Sequence, residues 1–162
     1  MKSKKYRLET VLGIRGRARE EAARQVGLRL QQLQAAEEEL NRRQRKLQNC
    51  FERQNQAQTR MQEELRQGIQ AQNILAHQNF LNDLRKLEID LKNDVEKQIQ
   101  TVSKAEKELE TAREKLAETA RELKSIEIHK ENWLVSEKKQ EAKREQKISD
   151  EIGAILHGRR TN

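Results

Sequence analysis

The residue types that carry most enzyme chemistry are few in this sequence and poorly placed for it. The three histidines, His77, His129 and His157, lie far apart, and no two of them form an HExxH motif or an i,i+4 pair. Cys50 is the only cysteine, so the chain has neither an intramolecular disulfide nor a thiolate cluster for a metal. The glycines lack the spacing of a phosphate-binding loop. We therefore expect no enzyme activity and no cofactor or metal.

The composition predicts long helices rather than a compact domain. Of 162 residues, 38% are charged, 33% are hydrophobic and 2% are aromatic, and proline is absent. Strands need β-branched and aromatic residues, which are scarce here, whereas Gln, Glu, Lys, Arg, Leu and Ala all favour helix. High charge is also typical of disorder, but the absence of proline counts against it. The many carboxylates are then expected on solvated helix faces.

The sequence has no hydrophobic segment that would direct it into or across a membrane. No apolar run approaches the 18 residues of a membrane span, and the start, MKSKKYRLETV, has no apolar stretch like that of a signal peptide. These features predict a cytoplasmic protein. The net charge of +7 would suit an acidic partner.

Apolar residues repeat with heptad spacing in the second half of the sequence. Twelve of the fifteen a and d positions between Leu81 and Trp133 are apolar, which indicates a coiled coil. The first half has a weaker repeat. Its a positions are Ala23, Leu30, Glu37, Gln44, Phe51, Gln58 and Leu65, and its d positions are Val26, Leu33, Leu40, Leu47, Gln54 and Met61.

The two repeats differ in phase across the segment GIQAQNI, which predicts a turn between two helices. Gly68 is the expected C-cap of the first helix and Asn73 the expected N-cap of the second. We predict one coiled-coil domain over residues 1–162, with helix 1 at about 5–67, a turn at about 68–72 and helix 2 at about 73–157. A single uninterrupted helix is the alternative.

In an antiparallel hairpin, the numbers of any two residues that face each other across the seam add up to the same constant. A sum of 142 places apolar residues opposite one another and pairs Gln44 with Gln98 as a polar layer, whereas a sum of 135 sets Gln44 against Leu91. We therefore predict the sum of 142, with Cys50 flanking the seam. The prediction is an all-α, long antiparallel two-helix coiled-coil hairpin with a C-terminal helical overhang beyond Glu137.

Charge and aromatic residues are unevenly distributed along this hairpin. Residues 1–30 carry a net charge of +6 and residues 138–162 carry +3, whereas residues 31–137 carry −2. The hairpin brings both basic segments to one end, where Tyr6 and Trp133 should meet. Near the turn, Phe80 and Leu87 lie off the seam beside Leu84, either as extra packing or as an exposed docking patch.

Three segments resemble the FliJ family of flagellar export proteins and its injectisome counterpart, YscO. These are YRLETVLGIRGRAREEAAR from Tyr6, GIQAQNILAHQNFLNDL from Gly68, and the Trp-then-basic ENWLVSEKKQEAKREQK from Glu131. The resemblance covers nearly the whole chain. It implies an α-hairpin like the central stalk of rotary ATPases, at the cytoplasmic side of an inner-membrane export apparatus.

The family resemblance also implies partners and contact residues. The end with both termini would bind a hexameric export ATPase, and surfaces nearer the turn would bind the export-gate membrane protein and export chaperones. The resemblance implies gate and chaperone contacts at Phe80 and Leu84, and we add Leu87 from the off-seam patch described above. At the end with both termini, the candidate ATPase contacts in this sequence are Tyr6, Leu8, Leu12, Arg15, Arg17, Trp133, Lys138, Lys139, Ile148 and Ile152.

Two other functions remain open from the residues themselves. The basic end could belong to a nucleic-acid-binding coiled-coil arm, whose affinity would fall steeply with salt. The two seams could instead pair between chains in a structural oligomer. If the protein is instead a stalk, we expect a monomeric hairpin and no small-molecule substrate.

Overall fold

Two long helices make up almost the whole chain. The computed structural model describes residues 4–160, in which α1 spans Glu9–Gln67 and α2 spans Ala71–Arg160. The helices are antiparallel and pack against each other, and the described residues contain no strand. The predicted all-α helical hairpin is confirmed.

The turn is shorter than the sequence indicates. Gly68 has φ of 79° and its amide donates to the carbonyl of Leu65 at 3.3 Å, so it ends α1 as predicted. The predicted N-cap at Asn73 is wrong, because α2 already begins at Ala71. The Gln70 carbonyl instead accepts the amides of Asn73 and Ile74 at 3.0 and 3.3 Å.

The helix ends differ from the expected bounds most at the start of the chain. We expected helix 1 from about residue 5, but α1 begins at Glu9, and α2 runs to Arg160 rather than to about 157. Residues 4–8, the N-terminal strap, lie outside the helix, and the Tyr6 carbonyl accepts the Glu9 amide at 3.3 Å. Side-chain contacts of this strap to α2, described below, replace the first helical turn.

The described residues divide into two compact units. The terminal unit is drawn from Met1–Arg24 and Glu114–Asn162, and the turn unit is Gln25–Arg113. Each contains a stretch of α1 packed against a stretch of α2. One domain over residues 1–162 stays a prediction.

The predicted seam of α2 is confirmed. All fifteen a and d positions from Leu81 to Trp133 are buried or half-buried. The buried members are Leu81, Leu84, Gln98, Leu109 and Thr119. The heptad spacing of large aliphatic residues therefore identifies the buried face of this helix.

The predicted seam of α1 is half wrong. Its d positions are half-buried as expected, but six of its seven a positions are exposed, and only Phe51 is half-buried. In each heptad, the residue just before the predicted a position faces α2 instead. Cys50, which we expected beside the seam, is therefore buried in it, with 2% of its surface exposed. The small alanine and cysteine side chains of this row let the two helices come close together. The arginines of the row lay their aliphatic carbons along the apolar seam and keep their guanidinium groups in water. This inward row is Ala22, Arg29, Ala36, Arg43, Cys50, Ala57 and Glu64.

The predicted register is also wrong. The helix ends at Gln67 and Ala71 centre the turn on residue 69, which corresponds to a sum of about 138 rather than 142, and the Arg15–Glu122 and Arg29–Glu108 pairs have sums of 137. The shorter turn moves α2 by about one helical turn relative to that prediction. The predicted Gln44–Gln98 layer is absent, because Gln44 is exposed and Gln98 Nε2 donates to the Ala36 carbonyl at 2.9 Å.

Candidate interaction surfaces

An aromatic cluster joins the N-terminal strap to α2 in the terminal unit. Tyr6 is buried, its hydroxyl lies 2.6 Å from His129 Nδ1, and its ring centroid lies 5.3 Å from that of Trp133. The predicted meeting of Tyr6 and Trp133 is confirmed. His129 was not predicted, although its spacing of four residues from Trp133 places both on one helix face.

Ion pairs hold both sides of this cluster. Lys4 Nζ lies 3.1 Å from Glu137, and Lys130 Nζ lies 2.8 Å from Glu9 and 5.9 Å from the Tyr6 ring centroid. Exposed pairs of this kind stabilise weakly, by about 0–1 kcal/mol each. The first pair links the strap to α2, and the second links the first residue of α1 to α2.

The C-terminal overhang, residues 138–160, continues α2 beyond these contacts. Every residue from 138 to 159 is exposed. Ile148, Ile152, Ile155 and Leu156 are 51–61% exposed, and their spacing places them on one face of the helix. We call these four residues the apolar stripe. Such a row on an otherwise polar helix is typical of a partner-binding surface.

All ten candidate ATPase contacts belong to the terminal unit. Tyr6 is buried, so it positions the strap rather than offering a free surface. Four candidates are half-buried, namely Leu8, Leu12, Arg15 and Trp133. The five exposed ones are Arg17, Lys138, Lys139, Ile148 and Ile152.

The excess positive charge is also concentrated in the sequence of this unit. Residues 1–24 and 114–162 contain 19 Lys and Arg against 13 Asp and Glu, a net charge of +6. Residues 25–113 contain 15 against 14, a net charge of +1. An acidic partner surface would therefore be attracted mainly to the terminal unit.

The candidate gate and chaperone contacts belong to the turn unit and differ in exposure. Phe80 and Leu87 are 44% and 38% exposed, whereas Leu84 is 3% exposed. The Leu84 carbonyl accepts from Cys50 Sγ at 3.4 Å and from Gln54 Nε2 at 3.3 Å. Phe80 and Leu87 are thus available to a partner, and Leu84 supports the packing beneath them.

Polar contacts around this patch were not predicted from the sequence. The Arg53 guanidinium lies 5.9 Å from the Phe80 ring centroid. Gln54 Nε2 also donates to Glu88 at 2.8 Å, and Lys92 Nζ lies 2.6 Å from the same carboxylate. The hydrogen bonds from Lys92 and then Gln54 lower the pKa of Glu88.

The described residues carry no sign of a metal centre or a membrane span. Residues 4–160 contain no group of three or more His, Cys, Asp or Glu side chains placed to hold a metal ion. None of the helices in that range is apolar over a long enough stretch to cross a bilayer.

Comparison with known proteins places this hairpin in a family. The sequence model of the YscO-like family matches residues 3–162. The solved structure of CT670 from Chlamydia trachomatis, assigned as a YscO homolog, is 28% identical, covers 96% of each chain and superposes with a TM-score of 0.84. No curated protein matches the chain. The chain therefore belongs to the YscO-like family, and its role lies in type III protein export.

Proposed function

We propose that the protein is the central stalk of a type III export apparatus on the cytoplasmic side of the inner membrane. Its terminal unit binds the hexameric export ATPase and promotes assembly of the ring. The patch formed by Phe80 and Leu87 binds the export-gate membrane protein and export chaperones. The protein thereby links the ATPase to the gate without a chemical step of its own.

The observation that carries this proposal is the apolar stripe on a basic unit. Four large aliphatic side chains in the overhang are more than half exposed. Burying the exposed half of each would contribute about 0.8–1.5 kcal/mol, which favours a partner that encloses the helix. Membership of an export family supports an ATPase as that partner, and the net charge of +6 supports an acidic surface on it.

Point substitutions test whether the stripe makes this contact. Replacing Ile148 and Ile152 by Ser should weaken binding to the cognate export ATPase at least about tenfold, because the two changes remove half of the exposed aliphatic side chains of the stripe. Isothermal titration calorimetry or surface plasmon resonance would measure the change. The melting temperature should stay unchanged, since neither side chain packs within the chain.

A matched control uses exposed isoleucines of the turn unit. Ile89 and Ile99 are 60% and 43% exposed, so replacing both by Ser removes the same chemistry elsewhere. This control should bind the ATPase like the original protein. Equal losses in both variants would contradict a specific contact at the stripe.

A further inference from the structure

The C-terminal overhang has a face that is longer than its apolar stripe. Ile148, Ile152 and Ile155 follow one another at spacings of four and three residues, and charged residues continue the same alternation on both sides. This spacing is that of a coiled-coil seam, so all the side chains that follow it lie on one face of the helix. We call this face the overhang seam. It consists of six exposed residues, Glu141, Glu145, Ile148, Ile152, Ile155 and Arg159.

The overhang seam is complementary to itself when a second copy runs in the opposite direction. If the numbers of facing residues add up to 300, Ile148 faces Ile152 of the second copy and Ile152 faces its Ile148. Ile155 then faces Glu145 in the next layer on each side. Every member of the seam faces another member in this alignment, and the isoleucines form its centre.

The charges of the overhang seam favour this antiparallel arrangement. Glu141 faces Arg159 of the second copy at one end, and the same pair recurs at the other end by symmetry. A parallel pair would instead place Glu141 against Glu141 and Arg159 against Arg159, which like-charge repulsion disfavours. Within residues 4–160, neither side chain has an ion-pair partner in its own chain. Both are therefore available to a second copy.

The overhang also has room for a second helix along this face. The last contact of the strap with α2 is the ion pair between Lys4 and Glu137, and every residue from 138 to 159 is exposed. Residues 138–160 span about 35 Å as a helix. In the alignment above, residue 160 of the second copy faces residue 140, so the second helix does not reach the strap.

We propose that the overhang seams of two copies of this chain pair with each other, antiparallel, when no ATPase covers them. The pairing goes beyond the stalk role, because it needs no ATPase and covers the isoleucines of the unbound chain. Each chain contributes only one short helix, so the dimer is weak, with a dissociation constant in the micromolar range, and dissociates on dilution. It competes with the ATPase for the same side chains.

Sedimentation equilibrium of the full-length protein, without ATPase, tests whether the dimer exists. Between about 1 μM and about 1 mM, the average mass should rise from that of one chain toward that of two. Ile152→Ser should weaken self-association at least about tenfold, because it removes an isoleucine from both central layers. A mass that stays at one chain throughout this range would overturn the proposal.

Charge reversal tests the antiparallel alignment. Glu141→Arg places arginine against arginine at both ends of the pair, and Arg159→Glu places glutamate against glutamate. Each variant alone should self-associate about tenfold more weakly than the original chain. An equimolar mixture of the two should associate like the original chain, because both ends then bring opposite charges together. No recovery in the mixture would overturn the antiparallel pairing.

The matched control replaces exposed isoleucines outside the overhang. Ile89 and Ile99 of the turn unit are 60% and 43% exposed, and replacing both by Ser should leave self-association unchanged. Dimers that persist in Ile152→Ser but are lost in this control would place the interface in the turn unit and contradict the proposal. Because no ATPase is present in these measurements, their failure would leave the stalk proposal standing.

Discussion

At the scale of single residues, exposure separates side chains that are free to contact a partner from those that support them. Phe80 and Leu84 are four residues apart near the turn, but Phe80 is 44% exposed and Leu84 is 3% exposed. A substitution at Leu84 acts first on the packing of the two helices. Phe80 is therefore the cleaner probe of the proposed gate and chaperone surface.

We expect Phe80→Ala to weaken binding to the gate protein or a chaperone about tenfold while leaving the free energy of unfolding nearly unchanged. Leu84→Ala should lower that free energy by about 2–5 kcal/mol, because it leaves a cavity in the seam. Chemical denaturation and a binding titration on each variant measure both effects. A marked loss of stability in Phe80→Ala with binding intact would instead show that Phe80 packs across the turn.

Another residue-scale prediction concerns acid stability. Hydrogen bonds from Lys92 and Gln54 lower the pKa of Glu88 below its usual value of 4.5. The ionised carboxylate therefore stabilises the fold above that value, and the contribution is lost as pH falls through the lowered pKa. Glu88→Gln should melt at a lower temperature than the original chain at about pH 7, and the difference should shrink as the pH falls through the lowered pKa. A difference that persists in acid would contradict this assignment.

At the scale of the elements, the turn decides the register of the hairpin. Gly68 ends α1 with φ of 79°, a conformation that costs an alanine about 1–2 kcal/mol. Gly68→Ala should lower the free energy of unfolding by about that amount, and Gly68→Asn by less, because asparagine tolerates this conformation better. Thermal and urea denaturation would measure both. Equal stability of all three chains would show that the turn has another conformation.

The two helices were easier to predict from the sequence than the register in which they pack against each other. The α2 seam was identifiable because leucines and valines occupy it, and Gly68 was identifiable as a helix end. The inward row of α1 was missed because Ala, Arg and Cys fill it, so the apolar pattern pointed one residue further along. That error and the short turn together explain the wrong register. Tyr6 and Trp133 were predicted to meet, but the non-helical strap and His129 depend on tertiary contacts.

At the scale of the whole molecule, charge and exposed apolar surface are concentrated in the same unit. The terminal unit carries most of the excess positive charge and the apolar stripe, and the turn unit is nearly neutral. Residues 138–159 are exposed throughout, so removing the overhang should leave the contacts of the remaining chain intact. Partner binding and folding can thus be separated in one variant.

The most direct test of the stalk proposal is the ATP hydrolysis rate of the cognate export ATPase with the full-length chain and with a chain truncated after Glu137. We predict that the full-length chain stimulates hydrolysis and that the truncated chain binds and stimulates far less while melting at nearly the same temperature. No stimulation by the full-length chain, with binding unaffected by the truncation, would contradict the proposal.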